Sequence, residues 1–348
     1  MKVAIVGAGL MGTALSWPLS DNHHEIHLVG THLDGDIITS CKEHNYHPKL
    51  KRYLPERVKP YFIGEIESAL KGVDFIVSGV NSLGVHWIGK ILSPYLNEGQ
   101  KIIAVTKGLE ASADGKLRIL PDVVRSELSP SMRDKVILAA IGGPCIAGEL
   151  AGRRQSCVIF CSQNIETADF LAKAFRTDYY HIWTSSNLLS LEISVGLKNA
   201  YALAVGMAKG TLEKEGGVDE AGALMYNLTA AIFAQGCTEI SRVLKAVGGD
   251  PSFTYGLPGV GDLFVTSAGG RSVTLGKLLA KGHSFTEARE ILKGETLEAA
   301  YIVQQMAKVL SAKRTNMAIN KGELPLMEFL IDVIVKGKPA NINLDLFF

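Results

Sequence analysis

The sequence predicts an α/β protein, with an N-terminal Rossmann-type, mostly parallel sheet followed by an all-helical C-terminal domain. Three observations carry this expectation. Short β-branched runs alternate with helical stretches through the first half. A glycine loop follows the first of those runs directly. Strand signal almost vanishes from Leu188 onward.

Strand candidates are Lys2–Val6, Glu25–Val29, Phe75–Ser78, Lys101–Val105, Val136–Ala140 and Ser156–Phe160. Helical patterns at Thr13–Ser20, Glu65–Leu70 and Gly84–Leu92 fall between several of them. Strand–helix–strand alternation of this kind builds a parallel sheet with helices on both faces. In the second half the helical candidates are Leu188–Lys209, Glu220–Val247, Ser272–Ala280, Thr286–Leu292 and Leu297–Ala312. Ser185-Ser186-Asn187 reads as the N-cap region of the first. The expected division is therefore 1–186, a dinucleotide-binding domain, and 187–348, a helical substrate-binding domain.

Composition fits two ordinary globular domains. The 348 residues exceed one core at about 150 residues per domain. Lysine plus arginine number 36 and aspartate plus glutamate 35, for a formal net charge of +1. That balance argues against a general nucleic-acid binder, which needs many phosphate-neutralising cations. The five cysteines, Cys41, Cys145, Cys157, Cys161 and Cys237, contain no C-x-x-C pair and read as reduced thiols without a metal. Met1–Val6 reads as a strand rather than a signal peptide. The uncharged stretch between Glu220 and Glu239 carries Gly222, Asn227, Gln235 and Gly236, and reads as a core helix rather than a membrane span.

Gly7-Ala8-Gly9-Leu10-Met11-Gly12 is a G-x-G-x-x-G loop between a strand and a helix, with a second strand about twenty residues on. The first glycine permits the tight turn, the second lets a pyrophosphate approach the backbone, and the third packs helix against strand. The reading is a dinucleotide site. After the second strand comes Val29-Gly30-Thr31-His32-Leu33-Asp34, with no acid or arginine at the strand end itself. NAD and NADP both remain open, with a slight lean to NAD.

The helix from Leu191 places Leu191, Val195, Ala202 and Val205 on one face with Lys198 among them. Ile193, Leu197, Ala200 and Ala204 cover the opposite side. A helix apolar nearly all round is buried, so this lysine must snorkel, pair with an acid or serve as an acid–base group. Thr106-Lys107-Gly108 and Gly142-Gly143-Pro144-Cys145 follow strands at their carboxyl ends, where open α/β sheets bind ligands. The second half adds a glycine-dense run, Gly256 to Gly261, then Asp262, Thr266 and Gly270-Arg271-Ser272.

Taken in order, these motifs resemble the NAD(P)-dependent glycerol-3-phosphate dehydrogenase family across nearly the whole chain. The carriers are the glycine loop, Thr106-Lys107-Gly108, Gly143-Pro144-Cys145-Ile146-Ala147-Gly148-Glu149, Gly196-Leu197-Lys198-Asn199, Gly261-Asp262-Leu263 and Gly270-Arg271. The resemblance implies hydride transfer between glycerol 3-phosphate and dihydroxyacetone phosphate, with Lys198 as the proton acceptor at the substrate hydroxyl. It implies catalytic roles for Lys107, Asp262 and Thr266, and a phosphate held by Asn199 and Arg271. Gly143, Cys145 and Ser272 would lie at the substrate. Gly7, Gly9, Leu10, Met11, Gly12, Lys107, Ala147, Arg271, Thr296 and Glu298 would hold the cofactor. It also implies a cytoplasmic homodimer that feeds glycerophospholipid synthesis.

The chain departs from the family pattern at Met11, where an aromatic is usual, at Cys145 and Ser272, which replace serine and asparagine, and at Val80-Asn81-Ser82. Cys145 and Ser272 leave room for a closely related polyol phosphate as substrate. Two other readings stand beside this one: a ketopantoate or β-hydroxyacid reductase, and a non-catalytic dinucleotide-binding protein.

Overall fold

A computed structural model of the chain describes residues 1–218, 221–222, 226–313 and 315–347. The chain divides into two compact units, Met1–Lys107 with Leu120–Leu191, and Gly108–Ile119 with Glu192–Phe348.

The strands are β1 (Lys2–Val6), β2 (Glu25–Val29), β3 (Tyr46–His47), β4 (Arg52–Tyr53), β5 (Val58–Tyr61), β6 (Phe75–Ser78), β7 (Lys101–Ala104), β8 (Leu109–Ala111), β9 (Leu117–Ile119), β10 (Ile137–Gly142), β11 (Ser156–Ser162) and β12 (Tyr180–Ser185). Eight of them form the sheet of the first unit, in the order β12-β11-β10-β7-β6-β1-β2-β5. Every pairing is parallel except β10 with β11. The first-unit helices are α1 (Leu10–Ala14), α2 (Ser16–Asp21), α3 (Gly35–His44), α4 (Ile66–Leu70), α5 (Val85–Leu92), α6 (Leu120–Glu127), α7 (Ala147–Ala151) and α8 (Ile165–Phe175).

Period-two alternation accounts for the two cores of this unit. Val3 and Ile5 of β1 enter one apolar cluster with Leu15, Leu28, Phe75 and Phe160, whereas Ala4 and Val6 enter the other with Ile76, Ile88 and Leu92. The expected six strands are all present, shifted by a residue or two at β7, β10 and β11. Of the strands not anticipated, β3, β4, β8 and β9 have only two or three residues, β5 has four, and β12 is a regular six-residue strand paired in parallel with β11. β5 carries Pro60, which lacks a ladder N–H and is tolerated because β5 is the sheet edge. The single helix expected over Thr13–Ser20 is two, α1 and α2. Pro18 has no N–H for the Ala14 carbonyl, and its ring crowds that oxygen.

The second unit is helical: α9 (Leu188–Lys214, entering it at Glu192), α10 (Tyr226–Ala246), α11 (Asp262–Ala268), α12 (Arg271–Ala280), α13 (Phe285–Ile291), α14 (Glu298–Ser311) and α15 (Pro325–Ile334). Asn187 caps α9, its side-chain oxygen accepting the Ser190 N–H at 3.1 Å. The expected helix start at Glu220 lies outside the described residues. By length and composition α9 could cross a membrane, but 94% of its apolar window is buried. The β8–β9 hairpin belongs to this unit. Ala111 N–H donates to Gln305 Oε1 at 3.1 Å and Leu117 N–H to Asn316 Oδ1 at 2.8 Å. Gly196 on α9 packs so tightly on the hairpin that a Cβ there would stand 2.7 Å from Leu109 Cγ.

Candidate active site

The strand order reverses between β1 and β6, and the glycine loop leaves the carboxyl end of β1 at that point. Ligands bind at such switch points. The three glycines are there for different reasons. Gly7 has φ +113°, and a Cβ on it would stand 2.7 Å from the Gly79 carbonyl carbon. A Cβ on Gly12 would stand 2.7 Å from the Gly7 carbonyl oxygen. Gly9 is different, because a Cβ there would meet only the Gly79 oxygen at an ordinary 3.7 Å, from a φ of −71°. Packing therefore does not require glycine at 9. The bare backbone is what a pyrophosphate must approach, so the loop fits a dinucleotide.

Side chains hold Ala8, the residue between the first two glycines. Its N–H donates to Asp34 Oδ2 at 3.2 Å, and the same oxygen takes the Thr31 N–H at 2.8 Å and hydroxyl at 2.7 Å. Asp34 lies beyond the end of β2, yet its carboxylate reaches the glycine loop. His47, fully buried on β3, contacts the Ala8 carbonyl oxygen through Nε2 at 2.9 Å. Its Nδ1 accepts the Leu50 N–H at 3.0 Å, which fixes the proton on Nε2. Burial holds the His47 pKa below its ordinary value. Sequence reasoning gave no signal for His47.

Also in the first unit, half-buried Lys107 follows β7, and its Nζ donates to the Gly143 carbonyl at 3.2 Å. Gly143 has φ +127°, a conformation that favours glycine. Cys145 is half-buried beyond it, and Ala147 is the first residue of α7. Leu10 is exposed at the start of α1, and Met11 packs partly on the core.

In the second unit, Lys198 is 5% exposed and Asp262 is 1% exposed. The Lys198 ammonium pairs with Asp262 Oδ1 and donates to Thr266 Oγ1 at 2.8 Å. Asp262 and Thr266 are four apart on α11, hence on one helix face. Lys209, three turns along α9 from Lys198, donates to the Ser267 carbonyl at 2.5 Å and ties α11 to the same helix. Burial, with the Lys277 charge behind it, lowers the Lys209 pKa. Asn199 is buried beside Lys198.

Arg271 opens α12 after Gly270, whose φ is +92°. It is about half exposed, with loose contacts to Glu298 at 3.7 Å and Glu295 at 3.9 Å. Ser272 and Thr296 are half-buried, and Glu298 is the first residue of α14. Within this unit the structure thus groups Lys198 with Asp262 and Thr266, and Arg271 with Glu298. No cluster of three or more His, Cys, Asp or Glu suited to a metal occurs among the described residues.

Family models match both halves of the chain: the NAD-dependent glycerol-3-phosphate dehydrogenase N-terminus over residues 2–168, and the C-terminus over 187–344. The chain belongs to the NAD-dependent glycerol-3-phosphate dehydrogenase family. Within that family, the NADP(+)-dependent glycerol-3-phosphate dehydrogenase of Archaeoglobus fulgidus is 33% identical over 315 residues, covering 90% of each chain. The crystal structure of glycerol-3-phosphate dehydrogenase from Coxiella burnetii matches with a TM-score of 0.81 at 25% identity, over 97% of this chain and 96% of that one. A ketopantoate reductase from Ralstonia eutropha matches with a TM-score of 0.56 at 17% identity, over 97% of this chain and 98% of that one, a likeness of fold alone.

Proposed function

We propose that the chain catalyses the NAD(P)-dependent interconversion of glycerol 3-phosphate and dihydroxyacetone phosphate, or of a closely related polyol phosphate. One observation carries this reading, the buried Lys198 ammonium held by Asp262 and Thr266 in a member of this family. When bound, the dinucleotide supplies or accepts the hydride.

Lys198 as ammonium donates a proton to the substrate oxygen during ketone reduction, and as amine removes the hydroxyl proton in the reverse direction. Asp262 pairs with the Lys198 ammonium and holds it in place. Thr266 takes one of the three ammonium N–H groups and thereby orients the others. Lys107 adds positive charge where the oxygen becomes negative.

Arg271 and Asn199 hold the substrate phosphate. The exposed contacts of Arg271 to Glu295 and Glu298 are worth at most about 1 kcal/mol each, so a dianion that takes two guanidinium hydrogen bonds displaces them. Gly143, Cys145 and Ser272 contact the rest of the substrate. Gly7, Gly9, Leu10, Met11, Gly12 and Ala147 hold the cofactor, with Lys107, Arg271, Thr296 and Glu298 towards its reacting end. The cofactor is NAD or NADP, with NAD slightly favoured, and the working form is a cytoplasmic homodimer.

The test is oxidation of NADH and NADPH, followed by loss of nicotinamide absorbance, against dihydroxyacetone phosphate, other keto-phosphates and ketopantoate. Turnover of a phosphorylated ketone is expected. Activity with ketopantoate alone, or none with any phosphorylated ketone, overturns the reading. Lys198→Ala should lower kcat by at least about a hundredfold, the scale of a lost acid–base group.

A further inference from the structure

We propose that His47 and Asp34 are positioning residues for the cofactor, which together clamp the Ala8 peptide groups and so set the direction of the Gly9 backbone N–H. This rests on the dinucleotide reading of the glycine loop above and concerns how that loop is held.

Ala8 is gripped on both sides. Its N–H is taken by Asp34 Oδ2 at 3.2 Å, and its carbonyl accepts from His47 Nε2 at 2.9 Å. The peptide between Ala8 and Gly9 is planar and trans, so the Ala8 carbonyl and the Gly9 N–H point in opposite directions. A donor from His47 on the carbonyl therefore turns the Gly9 N–H away from His47. Gly9 is the one glycine of the three whose missing Cβ the protein's own packing does not require, and it is half-buried where Gly7 and Gly12 are buried.

The clamp is rigid at both ends. His47 is fully buried, and the Leu50 N–H on Nδ1 fixes its ring and tautomer. Asp34 Oδ2 is fixed by the Thr31 N–H and hydroxyl, at 2.8 and 2.7 Å. One carboxylate oxygen thus joins the turn after β2 to the turn after β1. The bonds made by Oδ2 go to the protein, so this oxygen braces the loop rather than reading the ribose. The pyrophosphate is common to NAD and NADP, and the clamp should serve both equally.

The experiment measures dissociation constants for NADH and NADPH by nicotinamide fluorescence, with steady-state kinetics, in the full chain and in His47→Ala, His47→Gln, Asp34→Ala and Asp34→Asn. The two alanine variants should bind both cofactors about tenfold more weakly, the scale of one lost buried hydrogen bond, with kcat at saturating cofactor within about twofold of wild type. His47→Gln keeps a donor at the ε position, and Asp34→Asn keeps an oxygen acceptor. Each should recover most of the affinity.

Unchanged affinity in the alanine variants overturns the proposal, as does a kcat that falls while affinity holds. A shifted ratio of NADH to NADPH affinity in the Asp34 variants makes Asp34 a ribose reader and also overturns it. If His47→Ala does not fold, His47→Gln and the Asp34 pair decide by the same criteria. Failure of wild type to bind either cofactor would instead remove the dinucleotide reading itself.

Discussion

At the scale of single residues, the glycines of the loop separate folding from function. Gly9→Ala places a methyl where the protein has room, at backbone angles that alanine adopts freely. Stability should stay level or rise by about 0.5 kcal/mol, since the unfolded chain loses freedom. NADH and NADPH should nevertheless bind at least about tenfold more weakly, because the methyl occupies the approach of the pyrophosphate. Gly12→Ala should do the opposite first and destabilise the fold, because its methyl would press on the Gly7 carbonyl at 2.7 Å. Paired melting and fluorescence titrations check both, and a Gly9→Ala protein that binds as well as wild type would remove the argument. The loop was legible in the sequence because three glycines after a strand encode geometry directly. Lys198 was legible because a charge on an all-apolar helix needs an explanation. Its partner Asp262, sixty-four positions away, was legible only through the family resemblance, since no local pattern encodes a contact at that separation. Asp34 and His47 were not legible as parts of the loop for the same reason.

At the scale of elements, two helices of the second unit meet backbone to backbone. A Cβ on Gly206 of α9 would stand 2.5 Å from the Val273 carbonyl oxygen of α12, and one on Gly276 of α12 would stand 2.2 Å from the Leu203 carbonyl oxygen. The crossing fixes the distance between Lys198 on α9 and Arg271 at the start of α12. Gly276→Ala must push the helices apart, at a cost of about 1–3 kcal/mol or more. Displacement of Arg271 should raise KM for the phosphorylated substrate more than KM for the cofactor. Equal changes in both would argue against a geometric link.

Glu239 is the other device at this scale. Fully buried on α10, it accepts the Leu326 and Met327 N–H groups at the start of α15, at 2.6 and 2.9 Å, as well as the Tyr201 hydroxyl and the Gln235 amide. Burial outweighs these four donors and pushes its carboxyl up to about 7. The raised native value means that the unfolded chain ionises first as pH rises. Stability from this group is full below its ordinary value near 4.5 and is lost as pH climbs through about 7. Glu239→Gln has no such titration. Between pH 5 and 8 the variant should gain on wild type by up to about 3 kcal/mol in urea unfolding. A gap independent of pH would show that the carboxyl titrates normally.

At the scale of the whole chain, the units are not cut where the composition changes. The sequence shows one shift of character near residue 186, but residues 108–119 belong with the helices that follow. β8 and β9 have three residues each, too short for an alternation pattern to declare them, and they lie next to strand β7 in sequence. Their partners are distant. Leu109 packs at Gly196, Ala111 bonds to Gln305, and Leu117 exchanges two hydrogen bonds with Asn316. A fragment starting at 187 therefore lacks Leu109, Leu117 and Ile119, all buried in the intact chain, and leaves Gln305 and Asn316 without these backbone partners. Three missing large apolar side chains at about 2–5 kcal/mol each exceed the margin of most domains. The fragment should keep helical far-UV circular dichroism, lose its near-UV signal and bind a hydrophobic dye, as loosely packed states do. Joining residues 108–119 to 187–348 through a flexible Gly/Ser linker should restore cooperative unfolding, because a longer connection costs little entropy. A fragment from 187 that unfolds cooperatively without the hairpin would show that the hairpin is not needed to complete the helical unit.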